Sequence, residues 1–281
     1  MPVRSLLPAI LTCLLFVQPV FAGSGSAVAG TAASGAPAFG TVAFGTVALG
    51  AAAPSAAISG ASASGAAAAA IAEDTPRNNI PEEDKIRIAR IKYRGGGDWY
   101  NDPSSLTNLI DFAVKHIPLS IQRSYDDVAI GSRDLHQYPF VFMTGHGNID
   151  VNATEAANMR DYLDNGGFLY IDDDYGFDPY VRPVIEKIFP DEELIELPAS
   201  HPLYSMVFDF PDGLPKIHEH EGEPPQGFGI FRNGRLVLYY TYESNLADGW
   251  AFDVHDNPEH IVEKSLRMGV NLLVYALTSP D

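Results

Sequence analysis

Two apolar runs with no polar interruption limit what this chain can become: Phe140 to Met143 in "YPFVFMTGHG" and Phe168 to Ile171 in "FLYIDDDYG". A strand with one wet face alternates apolar and polar residues, whereas an unbroken run needs cover on both faces. The stretch between them, "NATEAANMRDYLDNGG", supplies such cover. Asn152 and Glu155 form a capping pair, Ala156, Met159 and Leu163 face one way, and Gly166-Gly167 stop the helix.

The same alternation extends to either side. "KIRIARIKY", Lys85 to Tyr93, reads as a first strand, and "RGGGDWYNDPSS" follows it. Leu106, Leu109, Ile110, Ala113, Val114 and Ile117 recur at helical spacing, with Asp102-Pro103 or Ser104 at the start. "IQRSYDDVAI" is a short second strand and a connection, and Arg182 to Phe189 a short helix. "RNGRLVLYYTYE" joins an Asn233-Gly234 turn to an apolar strand, as in a hairpin. A last, largely buried helix runs from Asn257-Pro258 to about Leu277. Strands and helices in this order make a parallel α/β sheet flanked by helices, with an added β-hairpin region. Ligands bind such sheets beyond the carboxyl ends of the strands. That rule selects the loops at "GGGDW", "TGHG" and "DDDYG".

Residues 1–80 carry a different pattern. Arg4, the apolar stretch Leu6 to Val20 and the small residues of "VFAG" form a secretory signal peptide over 1–22, which predicts a periplasmic or otherwise exported protein. Residues 23–80 are dominated by Ala, Gly and Ser up to residue 72, with "FGTVAFGTVALG" as a short repeat, and read as a disordered tether. The α/β domain is then 81–281, and the mature chain is expected to contain no transmembrane span. Cys13, the only cysteine, lies in the signal segment, so the mature chain has neither a disulfide nor a thiol nucleophile. All 36 acidic residues follow residue 72, against 17 of the 18 basic ones, so the chain beyond residue 72 carries 17 − 36 = −19. A surface this acidic repels phosphate backbones and excludes nucleic acid as a partner; cations, neutral sugars and basic peptides stay open.

Several polar groups gather after the strands. In "LPKIHEHEG", His218 and His220 point to one side of an extended segment, where two imidazoles can hold a divalent metal such as zinc if a third ligand arrives. His146, Asp172 to Asp174 and His201 are the available suppliers; a polar loop with hydrogen-bonded histidines is the alternative. Gly145 and Gly147 flank His146, and their freedom lets backbone approach a ligand. Asp172, Asp173 and Asp174 repel one another unless solvated, protonated or bound to a cation, and Asp172 or Asp173 is a candidate base. Asp98 and Trp99 in the glycine loop, and Trp250 in "DGW", are candidate substrate contacts, or loop anchors. Neither a P-loop nor a G-x-S-x-G motif is present.

The set "YRGGGDWY", "YPFVFMTGHG", "LDNGGFLYIDDDYG", "SHPLY", "LPKIHEHEG", "PPQGFG" and "DGW" resembles a bacterial family, the domain of unknown function numbered 4159, over about residues 85 to 279. That family is grouped with class I glutamine amidotransferase-like proteins, so the resemblance implies a flavodoxin-like sheet. The stretch from Tyr138 to Asp174 also looks like the core of trehalose-utilisation-type members. In catalytic amidotransferases the strand after the paired glycines ends in a turn bearing a cysteine; Asp172 to Asp174 stand there instead. Two expectations follow. The first is a non-catalytic domain that binds a small-molecule or glycan ligand, or a protein. The alternative is a metal-assisted hydrolase of a carbohydrate or amide, with His146, His218 and His220 as ligands.

Overall fold

The computed structural model describes residues 80–279. The signal peptide and all of the tether but Ile80 lie outside the described residues. Five strands form the parallel body of the sheet: β1 (Ile88–Lys92), β2 (Asp126–Ala129), β3 (Phe140–Met143), β4 (Phe168–Asp172) and β7 (Arg235–Tyr242). β5 (Ile195–Glu196) and β6 (Gln226–Arg232) extend it antiparallel, in the order β2-β1-β3-β4-β7-β6-β5. The parallel strands alone read second, first, third, fourth, fifth, the flavodoxin-like order.

Pleat alternation sorts the two uninterrupted runs onto two cores. Phe140, Phe142, Phe168 and Tyr170 face α1 (Ser105–His116) and α5 (Glu259–Thr278); Val141, Met143, Leu169 and Ile171 face α2 (Ala153–Asp164) and α3 (Asp178–Ile188). On the first face aromatic rings stack across the register, Phe140 on Phe168 at 6.0 Å, Phe142 on Tyr170 at 5.5 Å and Tyr170 on Tyr239 at 6.1 Å. That ladder joins β3, β4 and β7 on one face of the sheet.

The predicted elements are present, with informative shifts. The capping box forms: Asn152 Oδ1 accepts from Thr154 N and Glu155 N, and Asn152 N donates to Glu155 Oε2. Asn233 and Gly234 take φ of 52° and 85°, as a two-residue hairpin turn demands. α3 begins at Asp178, four residues before the predicted Arg182, because Pro179 sits in the first turn, where no backbone donor is needed. β1 is shorter than predicted, and Arg90 in its middle is buried, paired with Asp127 Oδ1 at 3.0 Å and packed over Trp99 and Tyr125. β5 and α4 (Leu246–Trp250) were not anticipated. Among the described residues no helix is long and apolar enough to cross a membrane.

Candidate functional site

Four parallel strands deliver their carboxyl ends to one place, at the crevice between β1 and β3 where the strand order reverses. The loop after β1 brings Asn101 and Asp102, that after β3 brings His146, and that after β4 brings Asp174 and Tyr175. Asn245 and Asp248 follow β7. Two further segments close over them: the loop before β6, with His218 and His220, and the stretch between α4 and α5, with His255. Together they line a cleft of about 530 Å³.

The glycines after β1 and β3 make the close approach possible. Gly145 has φ 139°, and a Cβ there would collide with the Tyr93 hydroxyl, which donates to Thr144 O. His146 is thereby held against the first loop: its backbone N–H donates to Asp98 Oδ1 at 2.5 Å, and its Nδ1 lies 3.1 Å from Asp98 Oδ2. Its Nε2 is 3.4 Å from Asp174 Oδ1. The hydrogen bond to Asp174, together with the charges of Asp174 and Asp98, outweighs burial and raises the imidazole to about 9. His146 is a cation at neutral pH. Burial pushes Asp98 up, but its bonds to His146 more than offset this and leave it below the ordinary carboxylate range.

On the opposite wall, Asp102, Asp248 and His255 each offer a ligand atom within 4.8 Å of the others. His255 Nε2 lies 2.7 Å from Asp102 Oδ1 and 3.3 Å from Asp248 Oδ1. Asp248 Oδ2 is engaged from behind by His218 Nδ1 at 2.6 Å and by Asn245 Nδ2 at 2.9 Å. Burial, then the charges of Asp174, Asp102 and Asp172, hold Asp248 well above the usual carboxylate range. Asn245 Nδ2 also contacts Asp174 Oδ1 and His220 Nε2, each at 3.1 Å, so one amide bridges both walls. Burial lowers His220 below the usual histidine value, which leaves it neutral and able to accept that bond.

Polar groups here are buried without being satisfied. Six buried side-chain polar atoms among the described residues lack a hydrogen-bond partner, and five belong to cleft residues: Asn101 Oδ1, Asp102 Oδ2, His220 Nδ1, Asn245 Oδ1 and Asp248 Oδ1. Backbone strain collects in the same place. Asp102, Glu243 and Asn245 have φ of 47°, 57° and 58°, three of the four described non-glycine residues with positive φ.

The residues expected from sequence divide. His146, His218 and His220 all line the cleft, but the tightest ligand-type group contains none of them. Asp98 meets the cleft through His146. Trp99 packs under Arg90 and Lys92. Trp250, expected to contact a ligand, is wholly buried; it packs on Phe142 and Tyr170 and donates to Ser265 O. Asp172 and Asp173, expected as catalytic carboxylates, serve the frame. Asp172 accepts from Thr241 Oγ1 and Ala247 N, and Asp173 from Phe177 N, while burial lifts both to about 7. Only the third of the triplet, Asp174, reaches the cleft. Sequence reading missed Asn101, Asn245, Asp248 and His255 and took Asp102 for a helix start. The available signal was an aspartate in "DGW" and a histidine in the polar stretch before the last helix.

No curated protein matches this chain. The family model described as Domain of unknown function (DUF4159) matches residues 87–277, from just before β1 to the last turn of α5, and the chain belongs to that family.

Proposed function

We propose that the cleft binds a divalent cation through Asp102, Asp248 and His255, and that the bound cation serves hydrolysis of a carbohydrate or amide. One observation carries the reading: two carboxylates, each more than nine-tenths buried, face one imidazole, and each keeps an oxygen without a hydrogen-bond donor. Buried like charges of this kind are costly unless protonated or bound to a cation. Asn245 Oδ1, buried in the same cleft and unpartnered, is a further neutral oxygen donor. Mixed carboxylate and imidazole donors suit a borderline ion such as zinc or manganese. His218, hydrogen-bonded to Asp248, is an orienting partner for that ligand. A cation here would lower the pKa of a bound water, and His146 holds a proton on the facing wall.

A second reading has its own support. Asp172 and Asp173, at the turn where amidotransferase-like enzymes carry their cysteine, are engaged by the frame. Descent from that group with loss of the nucleophile leaves a non-catalytic domain that binds a ligand or a protein. Export to the periplasm belongs to either reading and rests on the N-terminal pattern alone.

Isothermal titration of the EDTA-treated chain with Zn²⁺ and Mn²⁺ tests the cation site. Saturable 1:1 binding is expected, weakened at least about tenfold by Asp248→Asn and by His255→Ala. Millimolar cation without binding would sink the proposal. Turnover of glycoside or amide substrates by the loaded chain, absent in Asp248→Asn, separates the hydrolase from the binding domain.

A further inference from the structure

Two amide side chains of the cleft are turned the same way. Asn101 Nδ2 donates to Asp174 Oδ2 and Asn245 Nδ2 to Asp174 Oδ1, so the pair clamps both oxygens of one carboxylate. A carboxylate only accepts, which fixes the amide nitrogens toward Asp174 and leaves Asn101 Oδ1 and Asn245 Oδ1 without a donor. Asn245 is 2% exposed, so its carbonyl oxygen is buried as well as unpartnered. The imbalance extends across the floor. Its other donors are engaged: His146 faces Asp98 and Asp174, His218 faces Asp248, and His255 faces Asp102 and Asp248. The buried cleft atoms left unpartnered are four acceptor oxygens, the two amide oxygens with Asp102 Oδ2 and Asp248 Oδ1, against one nitrogen, His220 Nδ1. Among the described residues that line the cleft there is no lysine or arginine, whereas Asp102, Asp174, Glu219 and Asp248 all line it.

We infer that the ligand of the cleft presents a primary ammonium group, seated on Asn101 Oδ1 and Asn245 Oδ1 in front of Asp174, with its alkyl stem along Tyr175. The inference goes beyond the divalent-cation reading and stands without it, because the amide pair is a different set from Asp102, Asp248 and His255. Asn245 Oδ1, with two lone pairs, is the one atom shared by both. An ammonium brings three donors and no acceptor, which answers a floor of unpartnered oxygens. A hydroxyl brings lone pairs as well, and the donors that would meet them are engaged. A guanidinium seeks both oxygens of one carboxylate. Here each unpartnered oxygen comes from a different side chain. Asp102 and Asp248 each have one oxygen held by a histidine, and Asp174 has both held by the amides. Tyr175 follows Asp174, lines the cleft and is 58% exposed, so its ring presents surface that can cover a methylene stem or its ammonium. The one cation on the floor, His146, is already paired with Asp98 and Asp174, and the acids around it favour a positive ligand.

The test is calorimetric titration of the full chain, in EDTA, with cadaverine and with acetyl-trilysine amide, a free amine and a lysine side chain carrying the same group. The five-carbon diol, which replaces each ammonium of cadaverine by a hydroxyl, and acetyl-triarginine amide are the comparisons. At least one of the two amines should bind saturably, about tenfold or more tightly than its comparison. Asn101→Ala should weaken that binding about tenfold, and Tyr175→Ala by a smaller factor, with both variants unfolding as cooperatively as the parent. Binding of cadaverine assigns the site to a small free amine; binding of the lysine peptide alone assigns it to a lysine side chain. Failure of both amines, equal binding of the diol or the arginine peptide, or affinity that Asn101→Ala leaves unchanged overturns the inference. Uptake of Zn²⁺ without amine binding leaves the divalent site standing and removes the ammonium; amine binding by a chain that takes up no Zn²⁺ does the reverse.

Discussion

Three adjacent aspartates meet three fates, and the pleat decides which. Asp172 ends β4 and turns into the frame under Thr241 and Ala247, Asp173 caps the turn at Phe177, and Asp174 emerges into the cleft. Their titration has a consequence for stability. Asp172 and Asp173 are raised from 3.8 to about 7, so the folded chain holds protons that the unfolded chain releases. Stability tied to them therefore falls as pH rises from the unfolded value through about 7. His146, raised from 6.5 to about 9, contributes fully below 6.5 and loses its contribution as pH passes 9. His201 and His220, lowered by burial, act oppositely, but only on the acid side of 6.5. Thermal unfolding in EDTA should show the melting temperature dropping by about 5 °C between pH 6 and pH 9; a flat or rising profile contradicts these assignments. Pairings of this kind are hard to read from sequence. His255 meets Asp102 across 153 residues of chain, and nothing local to either marks the other. The histidines of "IHEHEG" and "TGHG" were visible because a turn or a glycine pair isolates them; Asp248 was hidden behind the tryptophan two residues on.

At the scale of elements, legibility followed length and periodicity. The buried runs of β3 and β4, the capped α2 and the Asn-Gly hairpin are each specified locally, and all are present. β5 has two residues and α4 five, too short to show a period, and both are held by what surrounds them. The loop bearing His218 and His220 depends on a further device. Glu243, just past β7, accepts from Lys216 Nζ at 2.8 Å and from Glu221 N at 2.8 Å; beside it, Ser244 O receives Ile217 N, and Ser244 Oγ donates to Pro215 O. The loop is thus latched to the sheet from both sides of its histidines. Glu243→Gln keeps the shape but removes the charge facing Lys216. Amide exchange over 216–221 should then be about tenfold faster, with the exchange of β3 and β4 unchanged. Exchange in the loop that matches the parent would show that Glu243 is not the latch.

For the molecule as a whole, the sheet concentrates buried carboxylates at one end of an already acidic domain. A dication bound there relieves local repulsion and binds the folded state only. At a hundredfold excess over its Kd such a ligand adds about 2.7 kcal/mol. For a domain of this size that is a rise of roughly 5–11 °C in melting temperature. Zn²⁺ or Mn²⁺ should produce that rise in the parent chain and none in Asp248→Asn, as followed by calorimetry; equal rises in both would place the effect elsewhere on the acidic surface. The left-handed backbone at Asp102, Glu243 and Asn245 bears on how far the domain can be improved. At each of these positions the main chain favours glycine, while the chain places a carboxylate or an amide there, lining the cleft at Asp102 and Asn245 and latching the loop at Glu243. Selection for robustness alone would erode these positions first, so the domain carries a built-in ceiling on its thermostability, set by keeping the cleft and the latch of its covering loop chemically equipped.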